Sequence, residues 1–264
     1  MPRSIRTALA LALTGVAVSP AAAHFNMLLP QTPSAKRGEA VTVVYQWGHP
    51  FEHQLFNAPA PAKLTALSPG GTRTDLSRAL EKFNQQTADR KEVTAYRLRF
   101  TPRERGDYIF VLATPPIWME EDQEFLQDTV KVVLHVQAQR GWDQAAGQGF
   151  EMAPLTRPYG LQPGLVFQTQ VLGDGKPAAG TLVEIEHYHP EAPSELPPDE
   201  HMTRTAKTDP GGVVTCTLTE AGWWCLTACR DGGRREHQGK TYPVRQRTTL
   251  WVFVDDQVAS KRAR

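Results

Sequence analysis

Five of the eight histidines stand where imidazole nitrogens could meet a metal ion. His24 follows Ala21-Ala22-Ala23, a small-residue pattern of the kind that a signal peptidase cuts. Cleavage after Ala23 would make His24 the N-terminus, with an imidazole and a free α-amine, two nitrogens that can chelate one ion. The α-amine has an ordinary pKa near 8, so a metal displaces its proton under mild conditions. Such nitrogen-rich sets favour Cu(II) and Ni(II). The plain alternative is that His24 only marks the cut.

The segment Trp47-Gly48-His49-Pro50-Phe51-Glu52-His53 follows a strand-like run directly. If Pro50 opens a helical turn, His49 and His53 at i and i+4 share one face and suit a single ion. The alternative is a polar loop with one hydrogen-bonded histidine. His187 and His189 lie in Glu184-Ile185-Glu186-His187-Tyr188-His189-Pro190. On a strand they share a face with Val183 and Ile185, the expected core side. Near a strand end that face can open onto a cleft between domains; otherwise the two are rim histidines. His201 sits in an acidic, proline-rich loop and could assist. His135 alternates away from Val132, Leu134 and Val136 and is expected at the surface. His237, in the basic loop RREHQGK, is expected to be solvated.

Enzyme motifs are missing. There is no G-x-S-x-G, no H-E-x-x-H, no P-loop and no G-x-G-x-x-G. The expectation is a binding protein, not an enzyme. Cys216, Cys225 and Cys229 could fold as a hairpin about Thr219-Glu220-Ala221-Gly222, pairing Cys216 with Cys225 as a cross-strand disulfide. Equally, all three could be small buried apolar residues. Their spacing is no zinc or redox signature.

Residues 1–23 read as a secretory signal: Arg3 and Arg6, then the apolar run Ala8 to Val18, then the alanines. The run is shorter than the roughly 20 residues that a transmembrane helix needs, and no second such run follows. The expected location is therefore the periplasm. Cleavage removes two of the 29 basic residues, against 28 acidic ones. A nearly neutral chain gives no electrostatic reason to expect nucleic acid or an anionic membrane as partner.

The elements that must position the histidines read as strands. Ala40 to Trp47, Val93 to Thr101, Tyr108 to Ala113 and Thr129 to Gln137 alternate or are β-branched. Asp75 to Arg90 has a narrow apolar stripe, a possible helix interrupting the sheet. Residues 139–150 read as a linker. Beyond them come Val166 to Leu172, Thr181 to Tyr188, Val213 to Leu218, Trp223 to Ala228 and Thr249 to Val254, with turns at Asp174-Gly175 and Asp209-Pro210-Gly211-Gly212. Strands at this spacing predict an all-β protein of two tandem immunoglobulin-like sandwiches, residues 24–140 and 151–255, after a cleaved signal peptide of residues 1–23.

Several segments resemble a known family. Ala23-His24-Phe25-Asn26-Met27-Leu28-Leu29-Pro30 is similar to the A-H-x-φ-φ-φ-P start of exported nickel- and cobalt-uptake accessory proteins, the extracytoplasmic component associated with energy-coupling-factor-type nickel transporters. Gly48-His49-Pro50-Phe51-Glu52 resembles that family's G-H-x-F segment. Glu151 to Leu155 followed by Pro158 to Gly164 resembles its joint. Asp174-Gly175-Lys176-Pro177, then Thr208-Asp209 and Gly222-Trp223, resembles carboxypeptidase-regulatory-like sandwiches. The resemblance covers nearly all of the chain after residue 23. It implies a role in divalent-metal handling, with carry-over at His24 and His49.

The leading expectation is a periplasmic Ni(II)- or Co(II)-binding protein that presents its cargo to a membrane importer. His24 and His49 would form the core, completed by His53 or by His187 and His189. The alternatives are a Cu(II) protein with an N-terminal histidine chelate, chaperone or oxidative enzyme, and a metal-free interaction module.

Overall fold

The computed structural model describes residues 24–256; the expected signal sequence lies outside the described residues. The described residues are all-β apart from one 3-10 turn (Ser77–Ala79) and one helical turn (Asp199–Met202). Among the described residues, no helix is long and apolar enough to cross a membrane.

Alternation builds the first sheet. In the strand Val41–His49 the side chains of Val41, Val43 and Tyr45 point inward, as the two-residue period requires. It pairs antiparallel with Phe25–Pro30, in register Phe25↔Gly48 to Pro30↔Val43. Its other edge takes Glu92–Phe100, and Gln54–Phe56 folds back onto its end. All six residues of Phe25–Pro30 are buried. This sheet closes over a core containing Phe25, Met27, Tyr45, Leu98, Phe110 and Val132.

The opposite layer is a ten-stranded sheet that serves both halves of the chain. Its centre is a parallel pairing of Phe125–Val132 with Val244–Trp251. On one side it continues through Gly106–Ala113 and Lys63–Leu67, on the other through Gly222–His237 and Leu182–His187. A second core packs its far end against a four-stranded sheet that includes Phe150–Pro154, Val166–Gly173 and Val213–Thr217. Trp223, Cys225 and Trp251, from late in the chain, pack into the first core. Adjacent residues of the same strand, Trp224 and Leu226, serve the second.

The stretch expected to be a linker, residues 139–150, is packed down. Ala146 is fully buried with Leu67, Ile109 and Tyr159. The backbone N–H groups of Ala146 and Gly147 donate to Glu151, whose carboxylate also takes the buried Lys131 Nζ at 3.0 Å. Burial pushes the Lys131 ammonium pKa down, and Glu151 opposes that shift.

Two expectations are corrected. The polar segment from Asp75 to Arg90 is no helix. It is the 3-10 turn plus an edge strand, Glu81–Gln86, paired with Glu92–Phe100. A helix there would have lacked an apolar face wide enough to bury. Cys216 and Cys225 do not pair. Val213–Thr217 bonds to Val166–Gln170 with Cys216 opposite Phe167, whereas Cys225 lies opposite Trp251 in the other sheet. The turn at 219–222 therefore arches from one sheet to the other. All three thiols are free, and burial raises their pKa values, to about 11 for Cys216 and Cys229.

A buried ion pair ties the start of the described chain to this scaffold. Arg247 and Asp128 stand opposite each other in the parallel pairing, 4 % and 2 % exposed. The guanidinium makes a two-pronged contact, Nε to Oδ1 at 2.7 Å and Nη2 to Oδ2 at 2.6 Å. Nη2 also donates to the carbonyl of His24 at 2.6 Å. Asn26 donates to Asp128 and accepts from Tyr45 Oη at 2.6 Å. Trp251 Nε1 donates to the Asn26 carbonyl at 3.0 Å.

Removing one partner of such a pair leaves an uncompensated buried charge. Asp128→Ala is therefore expected to cost about 3–5 kcal/mol in urea denaturation. Combining Asp128→Leu with Arg247→Met should recover a large part of that loss. A single substitution costing less than about 1 kcal/mol would contradict this account.

Candidate metal centre

The register that pairs Phe25 with Gly48 brings the preceding residue, His24, beside His49. Their ring centroids are 4.7 Å apart. His24 also stacks on Trp47 at 5.0 Å and meets Phe56 at 5.1 Å. Gly48 permits this: a Cβ there would stand 1.9 Å from the carbonyl oxygen of Gln54, so only glycine lets Gln54–Phe56 close over the strand end. The chain then turns at Pro50–His53, and Glu52 swings back so that its carboxylate lies 2.7 Å from His49 Nδ1.

A carboxylate accepts, so Nδ1 carries the hydrogen and, in the neutral ring, Nε2 holds the lone pair. His49 Nε2 is buried and has no hydrogen-bond partner among the described residues. A buried polar atom without a partner costs free energy unless something else meets it, and an imidazole lone pair beside a second imidazole fits a transition-metal ion. His24, Trp47, His53 and Phe56 line a cleft of about 730 Å³ at this place, with Asp89 and Lys91 also on its wall.

His53 departs from the helical spacing expected of it. Its backbone is left-handed (φ 51°), so the segment is a tight turn, and its ring lies 5.9 Å from that of Tyr188. Its Nδ1 donates to the carbonyl of His189 at 2.8 Å. That bond belongs to a set that docks the turn on the end of the strand Leu182–His187. The His189 N–H donates to Pro50 O at 3.1 Å, and His189 Nδ1 to Phe51 O at 2.6 Å. Phe51 N donates to Glu186 Oε1 at 2.9 Å.

His187 and His189 form a second cluster. His187 Nδ1 lies 3.3 Å from His189 Nε2 and 3.8 Å from a carboxylate oxygen of Glu220. Ligand atoms of these three residues all lie within 4.8 Å of one another. His187 packs on Trp224 at 4.6 Å and is buried; Glu220 is exposed. The expected residues thus divide into His24 with His49, His187 with His189, and His53, whose side chain is bound to the His189 carbonyl.

His135 and His237, expected at the surface, are partly buried. His135 is half-buried, stacked on Tyr159 at 4.4 Å with Nδ1 2.8 Å from Asp107. His237 lies against Trp118 at 4.5 Å. His201 is exposed in the Asp199–Met202 turn. Glu52 and Glu220 were not read as site residues. Glu52 carried a signal in its spacing of three from His49, whereas Glu220 had none, being distant in sequence.

Between the two clusters, burial raises the pKa of Glu186 to about 7, against the hydrogen bonds from Phe51 and Thr203 that lower it; Glu184 and Glu52 add to the rise. An unfolded glutamate ionises near 4.5. Between those two values the folded state holds a proton that the unfolded state has lost. Stability therefore falls as pH rises from about 4.5 to about 7. In the presence of chelator, Glu186→Gln should gain stability relative to the parent across that window, read as denaturation midpoints at pH 4.5 and 8. A difference that does not change with pH would contradict this.

No curated protein matches the chain in sequence. Among solved structures, similarity runs to a DUF4785-family protein from Legionella pneumophila at 9 % identity. It covers 78 % of this chain and 52 % of that one, with TM-score 0.30. The chain thus spans about half the length of that protein. The two-domain fibronectin type-III segment of chicken tenascin aligns at 10 % identity over 84 % of this chain and 98 % of its own, TM-score 0.21. Titin domains A168–A170 align at 12 % identity, over 84 % and 61 %, TM-score 0.20. Residues 21–231 match the family model described as a domain of unknown function, DUF4198, and the chain belongs to that family.

Proposed function

We propose that this protein is exported to the periplasm, where it binds a divalent transition metal, Ni(II) or Co(II), as cargo and assists its uptake by a membrane importer. The observation that carries this reading is the buried, unpartnered Nε2 of His49 beside the ring of His24, with Glu52 holding the other nitrogen. Cleavage after Ala23 would add the α-amine of His24 as a further nitrogen. The resemblance of Ala23–Pro30 and Gly48–Glu52 to exported nickel- and cobalt-uptake proteins supports the same reading. The proposed activity is binding and hand-over, with no bond made or broken in a substrate.

Copper is the second reading, and the ligand chemistry favours keeping it. An amine with two imidazoles is a nitrogen set that binds Cu(II) more tightly than Ni(II) or Co(II). Affinity ranking alone does not separate these cargoes. Metal content of the protein isolated from its own cell does.

The test begins with the N-terminal residue of the exported protein, followed by calorimetric titration of the metal-stripped form with Ni(II). One tightly bound ion on a chain starting at His24 is expected. His24→Ala and His49→Ala should each weaken binding at least tenfold. Glu52→Gln should weaken it about 10- to 100-fold, as loss of a partner that orients a ligand does. Unchanged affinity in both histidine variants would overturn the assignment.

A further inference from the structure

The second histidine cluster is defined by what its outward nitrogens do. His189 Nδ1 is 2.6 Å from the carbonyl oxygen of Phe51, and His187 Nε2 is 3.0 Å from that of Ala221. Carbonyl oxygens only accept, so both of these nitrogens carry hydrogens. In the neutral rings, the lone pairs then sit on His187 Nδ1 and His189 Nε2, the two atoms that face each other at 3.3 Å. Two lone pairs repel at that distance unless a cation stands between them.

A proton is one such cation and a metal ion the other. Metal geometry fits: with bonds of about 2.0–2.1 Å, a tetrahedral ion sets its nitrogen ligands about 3.3–3.4 Å apart, and a right-angled pair about 2.9 Å. The backbone at 221–222 is shaped to the ring as well. A Cβ on Gly222, at φ 120°, would stand 2.9 Å from His187 Nε2.

We infer that His187 Nδ1, His189 Nε2 and the carboxylate of Glu220 form a tetrahedral site for Zn(II) or Co(II), separate from the His24–His49 pair. Three protein ligands leave the fourth position open to water or an incoming ligand. The carbonyls of Phe51 and Ala221 orient the two imidazoles, the role that such outer partners play at metal sites. Because Phe51 belongs to the turn that carries Glu52 and follows His49, an ion here also fastens that turn to the strand end. The inference does not rest on metal binding by His24 and His49.

Titration of the purified, metal-stripped protein with Co(II) alone reads the site directly, since four-coordinate cobalt absorbs far more strongly in the visible than six-coordinate cobalt. The intense band is expected in the parent protein and in His49→Ala. It should be abolished in His189→Ala. Glu220→Ala, at an exposed position, should weaken the same ion at least tenfold without altering the melting temperature of the metal-free protein. If His49→Ala abolishes metal binding elsewhere but keeps the band, both sites stand. If His49→Ala changes nothing while His189→Ala abolishes the band, the second site stands and the first fails. An intense band that survives His189→Ala, an ion lost in both histidine variants, or no intense band in the parent overturns the inference.

Discussion

The Arg247–Asp128 pair fixes where the chain's first described residues lie. A guanidinium and a carboxylate out of water attract strongly, yet their desolvation cancels much of the gain, so the pair is weak evidence for stability as such. What it specifies is position. The fork of Arg247 takes both oxygens of Asp128 and still reaches the His24 carbonyl, while Asn26 closes the set through Asp128, Tyr45 and Trp251. Any other seating of the first strand would leave several of these buried groups without partners, each a cost of about 1–3 kcal/mol. The His24–His49 approach is a downstream result of that arrangement.

Five residues, His49 to His53, then join two chemistries. One end of the turn presents His49 to His24, and its middle supplies carbonyls and an N–H to His189 and Glu186. The same local sequence thus orients imidazoles in both clusters, by a carboxylate in one case and a carbonyl in the other. Glu186 is held by the same turn, and its burial shows how little water reaches the seam.

The sequence revealed the strands whose patterns are local. The alternation in Ala40–Trp47 and Val93–Thr101 matches Val41–His49 and Glu92–Phe100 because one face of each is core. The all-β character was legible for the same reason. The joining of Phe125–Val132 to Val244–Trp251 was not, since its partners are more than a hundred residues apart and parallel pairing leaves no turn signal. The cysteine hairpin misled because a short turn between strand-like runs can also arch between two sheets. At the site, His24 and His49 could be picked out by residue type and position. Glu220 could not, because nothing near it in the chain indicates that the arch returns it to His187.

The shared ten-stranded sheet also limits how this molecule can move. Many paired-lobe receptors admit a ligand by swinging apart about a flexible joint. Here the two cores are stitched by eight successive residue pairs through the middle of one sheet, and the segment between them is anchored through Ala146 and Glu151. Opening the molecule like a clamshell would tear that seam. Under the proposed function, exchange at the cleft beside His24 would be a local event, with the incoming donor approaching through the mouth of the cleft. On that reading a receiving surface would have to reach in, because the seam through the shared sheet leaves no jaw to open.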